Sequence, residues 1–411
     1  MRRAGWLLGL MALASFDAGA AVAQSLLYSQ DFDSNSAANW KVSNNGAGTN
    51  GADFFFNYGA VGIPSAPNSV GGTTRGLKLT ANTSSATAPT SGPKPGISVS
   101  PLGQSFSGNY EVRFDWWSNY VGPLGASPAA STQLSTFGVL TSGNVANYVG
   151  SSDGVFFAAS GNGGMPNTPA TLNEGDFSAY SVERPNGYQL PIEDPKDAHV
   201  LHLAGSRDNS AALYGSVFPS GAAAPAFQQA NFAATQTGTT PSGAAGFRWH
   251  QVEIEKIGNN VVWRVNGTVL IFMDTAAFHA STGGGNILFG HSDINLTTST
   301  NANFPTLQFT LIDNVRVLSL AGDYNRDGNV DAADYAVWKQ QYGATGLNPA
   351  DGNGDGKVDA ADYTVWRNTL SPIGPGGSSG LSTVAVPEPT FLALFGTWLG
   401  LAVTAMRSRP R

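Results

Sequence analysis

Between Gln24 and Leu320, apolar positions alternate with polar ones in short runs set off by Gly, Asn, Ser and Pro. That period of two belongs to strands with one buried face. The clearest run is Tyr110-Glu111-Val112-Arg113-Phe114-Asp115-Trp116. His250 to Ile257 and Val261 to Gly267, joined by Gly258-Asn259-Asn260, read as a hairpin with Val252 and Ile254 inward and Glu253 and Glu255 outward. Ile287 to Gly290 and Leu307 to Val317 supply later strands. Beyond Leu320 the period changes. Tyr335, Trp338 and Tyr342, then Tyr363, Trp366 and Leu370, fall at i, i+3 and i+7, each set forming one face of a helix. In so small a domain such aromatics are expected to be core. The pattern predicts a mainly β chain: an antiparallel sandwich over 24–320 and a small α-helical unit over 322–370.

Composition supports this division. The chain has 411 residues with Gly 51, Pro 23 and only 12% charged residues, which favours strands and turns over helices. There is no cysteine, so disulfides, thiolate metal sites and a cysteine nucleophile are excluded. The formal net charge of −7 is accounted for by eight aspartates in the helical unit, and no basic patch points to nucleic acid.

Those aspartates carry the strongest motif. From Asp323, oxygen-bearing side chains stand at loop positions one, three, five, nine and twelve: Asp323, Asn325, Asp327, Asp331 and Asp334, with Gly328 at position six. A hard cation takes six to eight oxygens, and a sharp turn at position six lets one short segment wrap it. Position seven, Asn329, is expected to offer its backbone carbonyl. The pattern recurs 28 residues on as Asp351, Asn353, Asp355, Gly356, Asp359 and Asp362, with Lys357 at position seven. Two calcium ions are predicted as a folding requirement, because four carboxylates converging without a cation repel one another. Val330 and Val358, at position eight, are expected to pack together as the loops pair.

Aspartate at position twelve, and the lack of a full helix before the first loop, make Gly322 to Leu370 resemble a dockerin. The resemblance implies a calcium-dependent fold and a cohesin-like partner. Here positions ten and eleven, often hydroxyl-bearing in cellulosomal dockerins, are Ala332-Ala333 and Ala360-Ala361.

The two ends read as addresses. Met1-Arg2-Arg3, the apolar run Trp6 to Phe16 and Ala21-Val22-Ala23 predict a signal peptide over 1–23, cut before Gln24. After a flexible linker over 371–385, Val386-Pro387-Glu388-Pro389 leads an apolar stretch from Thr390 to Met406 and a basic close, Arg407 to Arg411. That order resembles a PEP-CTERM sorting signal over 386–411. It implies a transient membrane helix, an exosortase-type sorting enzyme as partner, and delivery to the cell surface or extracellular matrix.

The strands of 24–320 resemble concanavalin-like (laminin G-like) jelly rolls, in which a hairpin with a Trp-x-x-Asn-Gly turn precedes a final strand reading Asp-Asn-Val. Here these are Trp263 to Gly267 and Asp313-Asn314-Val315, and the opening Tyr28 to Asp33 is expected near that last strand. The resemblance covers lectins, adhesion modules, polysaccharide hydrolases and lyases, so a polysaccharide is the implied partner. An enzyme would need two carboxylates roughly 5–10 Å apart across a sugar cleft. The strand motif Glu-x-Asp-x-x-Glu that serves this in known hydrolases of the fold is absent. Glu174, Asp176 and Glu183, and the pair Glu253 and Glu255, read as solvated surface, and no catalytic residue is assigned. His199 and His202 with Asp197 read as structural, since i, i+3 splits between strand faces. Among aromatics that could stack on sugar, Trp116, Trp117, Tyr120, Phe156 and Phe157, most are expected in the core. Trp117, out of phase with Phe114 and Trp116, is the one expected to face a ligand. The balance favours a non-catalytic, carbohydrate-binding or structural surface protein, with a polysaccharide-degrading enzyme or its accessory subunit as the alternative.

Overall fold

The alternation at Tyr110–Trp116 becomes a strand of ten residues at the centre of a sheet. The computed structural model describes residues 22–370 except 46–48, 84–94, 121–132, 149–150, 163–176, 183–188, 192–211, 232–237, 278–279, 281 and 294–306. In chain order the first strands are β1 (Val22–Ala23), β2 (Leu26–Gln30), β3 (Trp40–Asn44), β4 (Gly51–Asn57), β5 (Arg75–Thr80) and β6 (Gly96–Pro101). Next come β7 (Tyr110–Asn119), β8 (Gln133–Thr141), β9 (Val155–Ser160), β10 (Phe177–Val182) and β11 (Gln189–Pro191). The short helices α1 (Ala212–Val217) and α2 (Ala226–Asn231) precede β12 (Trp249–Ile257), β13 (Asn260–Val265), β14 (Thr268–Asp274), β15 (Asn286–Asp293) and β16 (Phe309–Ser319). The C-terminal unit holds β17 (Asn329–Val330), α3 (Ala332–Gln341) and α4 (Ala360–Leu370).

Two antiparallel sheets face each other. One runs β11-β10-β9-β8-β15-β6-β3 and the other β14-β13-β12-β7-β16-β5-β4, with β2 also paired to β16. The expected placement of the opening segment beside the last strand is seen as Val315 opposite Gln30 and Val317 opposite Tyr28. Phe114, Trp116, Phe137, Trp263 and Phe289 interdigitate between the sheets. Phe114 and Phe289 meet edge to face at 5.0 Å, a geometry aromatic rings favour. Val252 and Ile254 point into this core, as the hairpin pattern predicts, although its turn is shorter, with Ile257 paired to Asn260.

Successive side chains point to opposite faces, so Trp117 and Leu311 leave the core on the other side of their sheet. There a second apolar layer covers them, built from Tyr58, Ile63, Ala222, Ala224 and Phe247. A sheet covered on both faces loses its simple alternation, which is why Trp117 follows Trp116 directly.

Several buried carboxyl and imidazole groups find partners within the sandwich. At Asp313-Asn314-Val315 the pairing with β7 shifts register and Asn314 takes a φ of 53°, the mark of a bulge. Asp313 accepts from Tyr58 Oη (2.9 Å) and Ser69 Oγ (3.1 Å), while Asn314 Nδ2 donates to Asp115 at 2.8 Å. Burial pushes the Asp313 carboxyl up to about 7. Burial also holds His250 and His291 down, to about 4 and about 3. His291 bridges Thr310 and Gln133 in a buried network between the sheets.

Some expectations fall elsewhere. Asp197, His199, His202, Glu174, Asp176 and Glu183 lie outside the described residues, as do the signal run and Thr390 to Met406. Among the described residues no helix is long and apolar enough to cross a membrane. Tyr342 is not core: it follows the last turn of α3 and is 58% exposed, with Trp338 against it edge to face at 5.3 Å.

Candidate metal centre

Each loop is first organised by its own backbone. Residues four and six need the left-handed conformation, and all four take it: Arg326 (φ 62°), Gly328 (86°), Gly354 (74°) and Gly356 (87°). The chain then turns so that its N–H groups face the carboxylates. In the first loop Asp323 Oδ2 accepts from Gly328 N at 3.0 Å, and Asp327 Oδ1 accepts from Asn329 N at 2.9 Å. Asp334 accepts from the N–H of Tyr324, Asn325 and Asp331 at 2.7, 2.9 and 2.8 Å. Asp331 caps α3 through Ala333 N, at 2.7 Å, completing a capping box with Asp334.

The second loop repeats this. Asp351 Oδ2 accepts from Gly356 N at 2.8 Å, Asp355 Oδ1 from Lys357 N at 3.0 Å, and Asp359 Oδ1 from Ala361 N at 2.7 Å. Asp362 accepts from Asn353 N at 3.1 Å and Asp359 N at 2.7 Å. The Lys357 side chain is exposed, consistent with a position that needs only its main chain. Asn325 and Asn353 donate to the carboxylates of Asp327 and Asp355 at 2.8 and 3.0 Å. The spacing read from the sequence thus brings each set of six residues onto one loop.

The donor set fits a hard cation, and one atom shows why. Asp323 is 2% exposed and its Oδ1 has no hydrogen-bond partner, although a buried carboxylate oxygen left alone is costly. Burial and the neighbouring Asp334 push the Asp323 carboxyl up to about 6. Burial raises Asp334 and Asp351 as well, while hydrogen bonds from Asn325 and Asn329 lower Asp327. A divalent ion would reverse the upward shifts by supplying the missing charge. Among the described residues no group of three histidine, cysteine or carboxylate side chains is arranged to hold a metal by itself. The loops instead offer a mixed set of carboxylate, carboxamide and main-chain oxygens, the chemistry calcium prefers.

The core beneath the loops is small. Tyr324, Val330, Ala350, Val358 and Trp366 are buried, with Tyr335, Trp338, Tyr363 and Leu370 packed against them. Val330 and Val358 share this cluster as expected, yet their main chains pair elsewhere. Val330 lies opposite Val22 of β1, and Val358 N donates to Ala344 O at 2.9 Å. The halves are tied crosswise instead: Trp338 Nε1 donates to Asp359 O and Trp366 Nε1 to Asp331 O, both at 2.8 Å.

The profile of the Dockerin type I domain matches residues 321–371. The match covers the paired loops and both helices. No curated protein matches the chain. Among solved structures, a galectin-like protein of unknown function from Bacillus subtilis has a TM-score of 0.34 at 9% identity, over 76% of this chain and 99% of that one. An endo-beta-1,4-glucuronan lyase from Trichoderma reesei has a TM-score of 0.34 at 10% identity, over 75% and 98%. A glycosyl hydrolase family protein from Mycobacterium fortuitum has 0.32 at 10%, over 71% and 99%. Likeness at this level says nothing of their activities in this chain.

Two residue sets escaped the sequence reading. Glu255 is not solvated surface: it is 3% exposed, paired with Arg264 at 3.2 Å and with Arg326 of the first loop. Glu111 is buried beside it with Arg113. Asn109 reaches the second loop, its Nδ2 donating to Asp351 O at 2.9 Å. Trp117 is 3% exposed rather than open, but it lines a cleft of about 540 Å³ with Trp249, Phe247, Arg248 and Pro64.

Proposed function

We propose that this is an exported surface or matrix protein whose C-terminal module folds around two calcium ions beside a non-catalytic sandwich. The observation that carries the reading is the duplicated donor set around Asp323 and Asp351, with Asp323 Oδ1 buried and unpartnered. Asp323, Asn325, Asp327, Asp331 and Asp334, with the Asn329 carbonyl, would hold one ion. Asp351, Asn353, Asp355, Asp359 and Asp362, with the Lys357 carbonyl, would hold the other. Calcium supplies positive charge that offsets carboxylate repulsion, and so contributes folding free energy. The dockerin match supports this calcium role. The exposed methyls of Ala332, Ala333, Ala360 and Ala361 stand where a cohesin-like partner would read hydroxyls, so we place structural cohesion ahead of partner capture.

The test is calorimetric titration of the chelator-stripped full chain with calcium, followed by circular dichroism. Two ions per chain and a gain of helical signal are expected. No heat of binding, or a spectrum indifferent to EDTA, would sink the reading.

A second reading concerns the sandwich. The cleft beside Trp117 and Trp249 is the place where it would hold a sugar, since ring faces stack on the apolar faces of pyranoses. Glu111 and Glu255, engaged with guanidinium groups, suit a structural role better than proton transfer. A glycan array run beside a reducing-sugar release assay separates binding from catalysis. Release lost in Glu174→Gln would favour the enzyme.

A further inference from the structure

The two loops repeat residue for residue except at positions two, four and seven, and position seven, Asn329 or Lys357, needs only its main chain. Position two is Tyr324 in one and Gly352 in the other; position four is Arg326 in one and Gly354 in the other. The first difference fits the loops to each other: a Cβ at Gly352 would stand 2.3 Å from Tyr324 Oη, which donates to Asp362 O at 2.6 Å. The second difference faces the sandwich.

Position four demands a left-handed residue, for which glycine is the unstrained choice. Gly354 is that choice, and it lies against the β12–β13 turn, where a Cβ would come within 2.8 Å of Gly258 Cα. Arg326 accepts the strained backbone, and its guanidinium reaches Glu255 on β12. Glu255 is 3% exposed and also holds Arg264, so the Arg326 pair is a partly desolvated contact rather than a surface ornament. Asn109 completes the joint. Its Oδ1 accepts from Gly258 N at 2.9 Å, while its Nδ2 donates to Asp351 O at 2.9 Å and Gly352 O at 3.3 Å. Asn109 is 8% exposed, and Asp351 is the first residue of the second donor set.

We propose that Asn109 and Glu255, both on the sandwich, are positioning residues for the two cation loops, so that calcium binding and docking of the module on the sandwich form one coupled equilibrium. The inference rests on the calcium reading given above. Asn109 fixes the main chain at the start of the second loop, and Glu255 fixes position four of the first. Each loop therefore gains order from the sandwich before a cation arrives. By linkage, a cation that favours the ordered loop must tighten the joint by the same factor.

The test uses the full chain. Calcium binding is measured by two-step calorimetry on the wild type and on Asn109→Ala, Glu255→Gln and Arg326→Gly. Thermal unfolding is followed with calcium and with chelator. Asn109→Ala is expected to weaken one calcium-binding step by about fivefold or more, and Glu255→Gln the other, within the usual range of coupling. In chelator the sandwich transition of Arg326→Gly should match that of the wild type, while the calcium-induced rise of all three variants, each measured against its own chelated state, should shrink.

Arg326→Gly is the discriminating variant. It restores the residue the repeat itself prefers and relieves the strained φ, so a purely local role predicts equal or tighter calcium binding. The coupling predicts weaker binding at the same step that Glu255→Gln affects. If the wild type takes up two ions and all three variants bind them unchanged, the coupling is overturned and the calcium reading stands. If the wild type binds no calcium, both fall.

Discussion

The sandwich and the C-terminal module solve the problem of stability in opposite ways. The sandwich has an extended aromatic core and partners its buried carboxyl and imidazole groups, as at Asp313 with Tyr58 and Ser69, or His291 with Thr310 and Gln133. The module has a core of a few side chains and a buried carboxylate oxygen with no partner. Among the described residues the buried carboxylate oxygen without a partner lies in the module, where an added ion would complete it. A domain of about fifty residues buries too little apolar surface to be secure alone, so an added cation has the largest effect where the core is least.

That contrast can be broken at its weakest point first. Trp366 is buried in the module core and holds the opposite loop. Trp366→Ala should destabilise the module by about 3–5 kcal/mol, enough to abolish its folding even in calcium, while the sandwich transition persists. A single transition lost for the whole chain in differential scanning calorimetry would contradict the separation.

A smaller effect lies in the sandwich and depends on pH. Asp313, raised to about 7, binds a proton in the folded state that it releases on unfolding above its ordinary value near 3.8. Its contribution to stability is therefore present at low pH and lost as pH rises through about 7. His250 and His291, lowered to about 4 and about 3, act in the other direction: their contribution is present above the ordinary value of 6.5 and lost on acidification. Asp313→Asn removes the opposing partner. Between about pH 4 and 6.5 the variant should lose stability on acidification faster than the wild type, by about 1.4 kcal/mol per pH unit. Denaturant melts across that window, with calcium present, measure the difference; parallel slopes would refute it.

The smallest effect is expected at Lys357. Its N–H meets Asp355 while its side chain stands in solvent, so Lys357→Ala should change calcium affinity by less than about twofold. A larger change would show that position seven acts through its side chain.

How far the sequence disclosed this arrangement follows from the range of each interaction. The loops were legible because their candidate donors lie within twelve consecutive residues, where spacing alone sets geometry. The hairpin and the Asp313-Asn314-Val315 strand were legible through period and turn chemistry. Glu255 was placed on the right face but in the wrong surroundings, because what covers that face is Arg326, far along the chain. Trp117 was correctly placed out of phase with the core, yet the layer that covers it comes from the segments around Tyr58, Ala222 and Phe247. Asn109 carried no local signal, being one asparagine among many. Tyr342 fitted the helical period but stands just past the end of α3, where the backbone no longer repeats.

The crosswise bonds of the two tryptophans have a further meaning. Trp338 serves the main chain of the second loop and Trp366 that of the first, each at 2.8 Å. Each half thus gives its twin the same contact that it receives, which is the rule of an isologous dimer. The module is such a dimer written into one chain, and neither half carries within itself all the hydrogen-bond partners its loop requires.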